Sequence, residues 1–177
     1  MPTLVVVHPE GADVSLQHTL CTAIQERITE KKSVYVLPYG LDVNKYDHPF
    51  LYSRHNDVTT VESYYSFNLH QVILYEGRKY KGTSCFAPQF LALKKRLLVD
   101  NQKEVDLCGV ARDVCVDEVY RLLTTLRSKP WVNYAAAAEY LVIEQKTLQH
   151  ICNTYIPCRI LNALCDEPLS SQSDVLL

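Results

Sequence analysis

Short, continuous apolar runs alternate along this chain with stretches whose apolar positions recur at helical spacing. The first run, Thr3–Val7 (TLVVV), is largely β-branched and ends at the turn sequence His8-Pro9-Glu10-Gly11. Such a run suits a strand buried on both faces. Leu16, Leu20, Ala23, Ile24 and Ile28 then mark one face of a helix over residues 15–31, with Asp13 or Ser15 as its N-cap. Ser33–Leu37 (SVYVL) reads as a second strand, stopped by Pro38-Tyr39-Gly40. Residues 41–69 have no clear period and are rich in Tyr, His, Asn and Asp, which predicts a long loop with one short helix near 58–68. Gln71–Tyr75 (QVILY) is the third predicted strand, broken at Gly77. Ala87-Pro88 opens a helix with Phe90, Leu91, Leu93, Leu97 and Leu98 as its apolar set, and Lys94, Lys95 and Arg96 as a basic, solvated side. Val105–Val110 is the fourth strand, followed by a helix striped with Val116, Val119, Tyr120, Leu123 and Leu126. Trp131–Ala138 reads as a fifth strand, Thr147–Cys152 as part of a further helix, and Arg159–Leu164 as a sixth strand.

Strands that alternate with helices predict the α/β class. The expected architecture is Rossmann-like: a three-layer sandwich around a central, mostly parallel six-stranded sheet. Right-handed crossovers then bring the strand C-termini to one edge, where sites of α/β proteins form. That edge would collect His8 and Glu10 after the first strand, Glu76 after the third, and Ala111 to Cys115 after the fourth. One domain over residues 1–166 is expected, with a polar, flexible tail over 167–177 (EPLSSQSDVLL).

Composition narrows the function classes. With 177 residues the chain can bury one sizeable core. Hydrophobic residues make up 47% and charged residues 21%, an ordinary globular balance. The net charge of −2, with Lys and Arg scattered, argues against a nucleic-acid or acidic-membrane partner. Seven cysteines lie at 21, 85, 108, 115, 152, 158 and 165, mostly among apolar residues and with no CxxC. That pattern gives no structural zinc motif and suits reduced thiols in a cytoplasmic protein. The sequence shows neither a signal peptide nor a membrane-spanning run, and no cofactor motif.

The most informative stretch is Val105–Val116, VDLCGVARDVCV. It reads as a buried strand, a glycine, a short turn and a helix that starts near Asp113. Cys115 falls in the first helical turn, where unpaired backbone N–H groups favour a thiolate and can hold an oxyanion. From spacing alone a buried structural cysteine remains the commoner explanation. GVARDVCV resembles the nucleophile motif of the isochorismatase-like cysteine hydrolases, which also include nicotinamidases. Their pattern is roughly G-[LV]-A-[TR]-D-x-C-V, and Gly109, Ala111, Asp113, Cys115 and Val116 match it. The resemblance extends to strand order and spacing over about residues 3–150. It implies that Cys115 is the nucleophile, that the Val110–Ala111 peptide is cis, and that the amides of Ala111 and Cys115 form the oxyanion hole.

The same resemblance implies an Asp after the first strand and a Lys after the third. TLVVVHPEG places His8 at the Asp position, and VILYEGRKYKGTSCF places Glu76-Gly77 at the Lys-Gly position, with Ser84 and Phe86 matching downstream. An acid and a base are thus kept but exchanged between strands. His8 can serve as base for Cys115, with Glu76 orienting the imidazole and raising its pKa, a recurring thiol-hydrolase arrangement. The competing explanations are decay of catalysis, and a Lys79 or Lys81 that folds back. The family's metal-binding Asp-x-His pair is not reproduced by Asp47-His48, with His55 further on, so no metal is expected. Tyr46, Phe50, Tyr52, Tyr64, Tyr65 and Phe67 suit a pocket wall or a subunit contact, the latter in keeping with the oligomers this family forms. Two functions follow: hydrolysis of an amide or related C–N bond of a small molecule through a Cys115 thioester, or a pseudoenzyme that binds a ligand or partner.

Overall fold

The computed structural model describes residues 1–40, 57–62, 73–75, 78–80, 86–124 and 134–166. Five strands form one all-parallel sheet. They are β1 (Thr3–Val7), β2 (Val34–Leu37), β3 (Val58–Thr60), β6 (Val105–Gly109) and β7 (Cys158–Cys165), in the order β3-β2-β1-β6-β7. A separate antiparallel ribbon is made by β4 (Ile73–Tyr75) and β5 (Arg78–Tyr80). The helices are α1 (Val14–Thr29), α2 (Ala87–Val99), α3 (Asp117–Thr124), α4 (Ala135–Tyr140) and α5 (Gln145–Asn153).

Alternation along the strands divides the core into two. Val5, Val7, Tyr35, Leu37, Val105 and Leu107 pack with Phe90, Leu91, Leu93 and Leu97 of α2 and with residues of α3, α4 and α5. Leu4, Val6, Val34, Val36, Val58 and Cys108 pack instead with Leu20, Ala23 and Ile24 of α1. Burial on both faces is why these strands read as continuous apolar runs. Asp13 caps α1, its carboxylate accepting from the Leu16 amide at 2.8 Å.

Three elements differ from the sequence expectation. Among the described residues the predicted third strand does not enter the parallel sheet: Ile73–Tyr75 pairs antiparallel with Arg78–Tyr80. The position beside β2 is taken by Val58–Thr60, from a segment read as loop and helix. The expected fifth strand is a helix over Ala135–Tyr140, because four successive alanines favour helix once a covering surface is present. Lys94, expected in solvent, is fully buried between α3 and α5. No helix among the described residues is long and apolar enough to cross a membrane.

Candidate active site

Three strands of the sheet end side by side. Val7 pairs with Gly109 in register, the Val110 amide donates to the Val7 carbonyl at 2.9 Å, and the His8 amide donates to the Leu37 carbonyl at 2.8 Å. The ends of β1, β2 and β6 are thereby locked together. Gly109 has φ +113, and a Cβ there would lie 2.0 Å from the Val7 carbonyl oxygen. Only glycine fits that crossing, which is the physical reason for the glycine in GVARDVCV.

The next peptide, Val110–Ala111, is cis, as the resemblance implies. Arg112–Val116 then forms a single π-type turn, with the Val114 and Val116 amides both donating to the Ala111 carbonyl at 3.1 Å. The turn runs directly into α3. The Asp166 carboxylate accepts from the Arg112 amide at 2.7 Å, tying the turn to the end of β7. Asp113 is exposed and lies 3.6 Å from the Arg112 guanidinium. Cys115 sits inside this turn, half-buried against the core on the α2 side of the sheet. Burial raises the thiol pKa of Cys21, Cys108, Cys152, Cys158 and Cys165, to about 11 for Cys152 and Cys165 and about 12 for Cys158.

His8 reaches the same side by an unusual backbone route. Strand alternation would turn it toward α1, with Val6. Its left-handed conformation, φ 45 and ψ 53, instead brings the ring against Phe86 and Phe90, with centroid distances of 4.4 and 5.8 Å. Tyr39 meets the ring edge-on at 5.3 Å. The residue is only 1% exposed, and desolvation of the imidazolium lowers its pKa to about 4. The ring is therefore neutral near pH 7.

The partner of His8 is one the sequence reading missed. Nε2 of His8 lies 2.9 Å from Oε1 of Gln89, a buried residue in the first turn of α2. Gln89 in turn donates from its amide nitrogen to the Pro38 and Val61 carbonyls, at 2.8 and 3.0 Å. The signal was a polar residue on an apolar stripe: Gln89, Leu93 and Leu97 share one helix face. Glu76, expected as the orienting carboxylate, lies outside the described residues, as do Ser84, Lys81, His48, His55 and the aromatic group from Tyr46 to Phe67. Glu10, on the turn after β1, accepts from the Tyr39 amide at 2.9 Å. The strand edge thus joins His8, Val110, Ala111 and the Cys115 turn, while the lowered His8 pKa runs opposite to the expected rise. Among the described residues no group of three His, Cys, Asp or Glu side chains could hold a metal ion.

No protein-family model matches the chain, and neither the curated proteins nor the solved structures compared with it give a match.

Proposed function

We propose that this chain is a catalytically degenerate isochorismatase-like domain, a three-layer α/β protein of the cytoplasm that binds a small neutral molecule at the strand edge. What supports the reading is the state of His8, the residue that stands where the resemblance calls for an aspartate. A base working near pH 7 needs a pKa near 7. The His8 imidazole, lowered by burial to about 4, is a weak proton acceptor near pH 7. Among the described residues the ring's hydrogen-bond partner is the neutral Gln89 amide and aromatic rings pack against it, so no carboxylate there stabilises an imidazolium. Self-association through the aromatic group between Tyr46 and Phe67 belongs to the same proposal.

One observation favours the alternative, a hydrolase with Cys115 as nucleophile. Cys115 is only half-buried and lies in the turn that follows β6, whose end pairs with the end of β1 just before His8. The two readings separate in the pH dependence of Cys115 alkylation, followed by peptide mass spectrometry after limiting iodoacetamide. The binding reading expects superimposable curves for the wild type and His8→Ala. A hydrolase in which His8 is the base expects an additional limb in the wild type that His8→Ala removes, with a loss of roughly 10²–10⁴-fold in reactivity below the thiol pKa. Such a limb would overturn the degenerate reading.

A further inference from the structure

The hydrogen bonds around Gln89 determine which nitrogen of His8 carries the proton. The Gln89 amide nitrogen faces two backbone carbonyls, Pro38 and Val61, which can only accept. Turning the amide over would set its carbonyl oxygen against both of them. Oε1 of Gln89 is therefore the atom that meets His8, and Oε1 can only accept, so the ring donates from Nε2. In a neutral imidazole the other nitrogen then holds a bare lone pair. Nδ1 of His8 is buried and has no hydrogen-bond partner among the described residues. A buried polar atom left unpaired is costly and calls for a reason.

We propose that Gln89 is a positioning residue that locks His8 as the neutral Nε2–H tautomer and leaves Nδ1 as a dedicated hydrogen-bond acceptor at the strand edge. This rests on the binding reading above in one respect, that the acceptor serves a ligand. An acceptor of this kind suits a neutral N–H or O–H donor and offers nothing to a carboxylate or phosphate. The lock is a product of four elements: the end of β1 supplies His8, α2 supplies Gln89, and the chain after β2 and after β3 supplies the two carbonyls. Among the described residues the titratable side chain in ring contact with His8 is Tyr39, and Glu10 on the adjoining turn accepts from the Tyr39 amide.

The test is a two-bond 15N–1H correlation spectrum of the full chain labelled at histidine, with His8 assigned through its contacts to the Phe86 and Phe90 rings. The expected result is one tautomer, protonated at Nε2 and bare at Nδ1, favoured by roughly ten to one or more and unchanged through the ordinary histidine range near about 6.5. A ring protonated at Nδ1, or an imidazolium that titrates in that range, would overturn the proposal in the wild type alone, whatever any variant does. Gln89→Met should release the lock and give a mixture of tautomers. A Gln89 that merely ties strand ends together would lower the melting temperature of Gln89→Met and leave the tautomer as it was, which would also overturn the assignment. The spectrum is read without ligand or alkylation, so a His8 limb in the alkylation curves would remove the binding reading while the tautomer still stood or fell by itself.

Discussion

A lysine ammonium withdrawn from water is stable only where oxygens replace its hydration, and Lys94 finds two of them. Its Nζ donates to the Leu122 carbonyl at 2.6 Å and the Cys152 carbonyl at 3.3 Å, in the last turns of α3 and α5. Those turns carry the negative ends of two helix dipoles and the carbonyls that helices leave unpaired. The replacement is partial: burial lowers the Lys94 pKa from 10.5 to about 8, although Cys152 and Cys158 nearby oppose the shift. The sign of the linkage follows. Above pH 8 the folded chain sheds a proton that the unfolded chain keeps until about 10.5, so this residue makes stability rise with pH across that window. The raised thiols of Cys152 and Cys158 act the opposite way, because the unfolded chain ionises them first. Urea unfolding at several pH values between 7 and 10 should therefore show the stability of the wild type gaining on that of Lys94→Met as pH rises, with the thiol contribution largely common to both. Identical slopes would mean that Lys94 titrates as it does in water.

At the scale of single elements, α1 and α4 show how far local signals carry. Asp13 caps α1 through a side-chain bond that the sequence already suggested, alongside Ser15 as the other candidate. Asp13→Ala should cost about 1 kcal/mol in chemical denaturation, and Asp13→Asn much less, because Asn supplies the same acceptor. Equal losses in the two variants would move the credit from the cap to the charge at the helix N-terminus. In the α4 segment two local signals conflict: the alanines of WVNYAAAA extend an apolar run like that of a buried strand, and they are also the strongest helix formers. Val58–Thr60 went unseen for the opposite reason. Three residues are too few for any period to emerge, and the strand exists only because β2 offers an open edge in parallel register.

The whole molecule is tied across one sheet face by a buried carboxylate. Asp106 in β6 accepts from Arg27 of α1 at 2.7 Å and from Arg159 of β7 at 2.7 Å, so it links a helix and two strands. Arg27 is itself buried and also donates to the Pro2 carbonyl at 3.2 Å, whereas the Arg159 side chain is 67% exposed. The two arms should not be equal. Asp106→Ala leaves the Arg27 guanidinium buried without its counter-charge and should cost about 3–5 kcal/mol. Arg159→Ala removes a solvent-screened pair and should cost at most about 1 kcal/mol. Thermal or urea unfolding of the two variants measures both values, and comparable losses would show that Arg159 carries more of the junction than its exposure suggests.

By itself the sequence determined the α/β class, strands at 3–7, 33–37, 105–110 and 159–164 that match those at 3–7, 34–37, 105–109 and 158–165 to within a residue, the three longest helices, and the strand-glycine-turn-cysteine segment around Cys115. These features are local. A doubly buried strand is a continuous apolar run, an amphipathic helix repeats every few residues, and Gly109 is needed wherever a chain crosses that close to a neighbouring backbone. The tertiary structure alone decided which strand occupied the sheet edge, where Lys94 went, and what held His8. Each of those outcomes depends on groups far apart in the chain: Gln89 reaches His8 across 81 positions, and its amide is oriented by carbonyls 51 and 28 positions away. A histidine's charge and tautomer are set by the oxygens and rings that surround it in space, and His8 acquires those surroundings only when β1, α2 and the chain beyond β2 and β3 have come together.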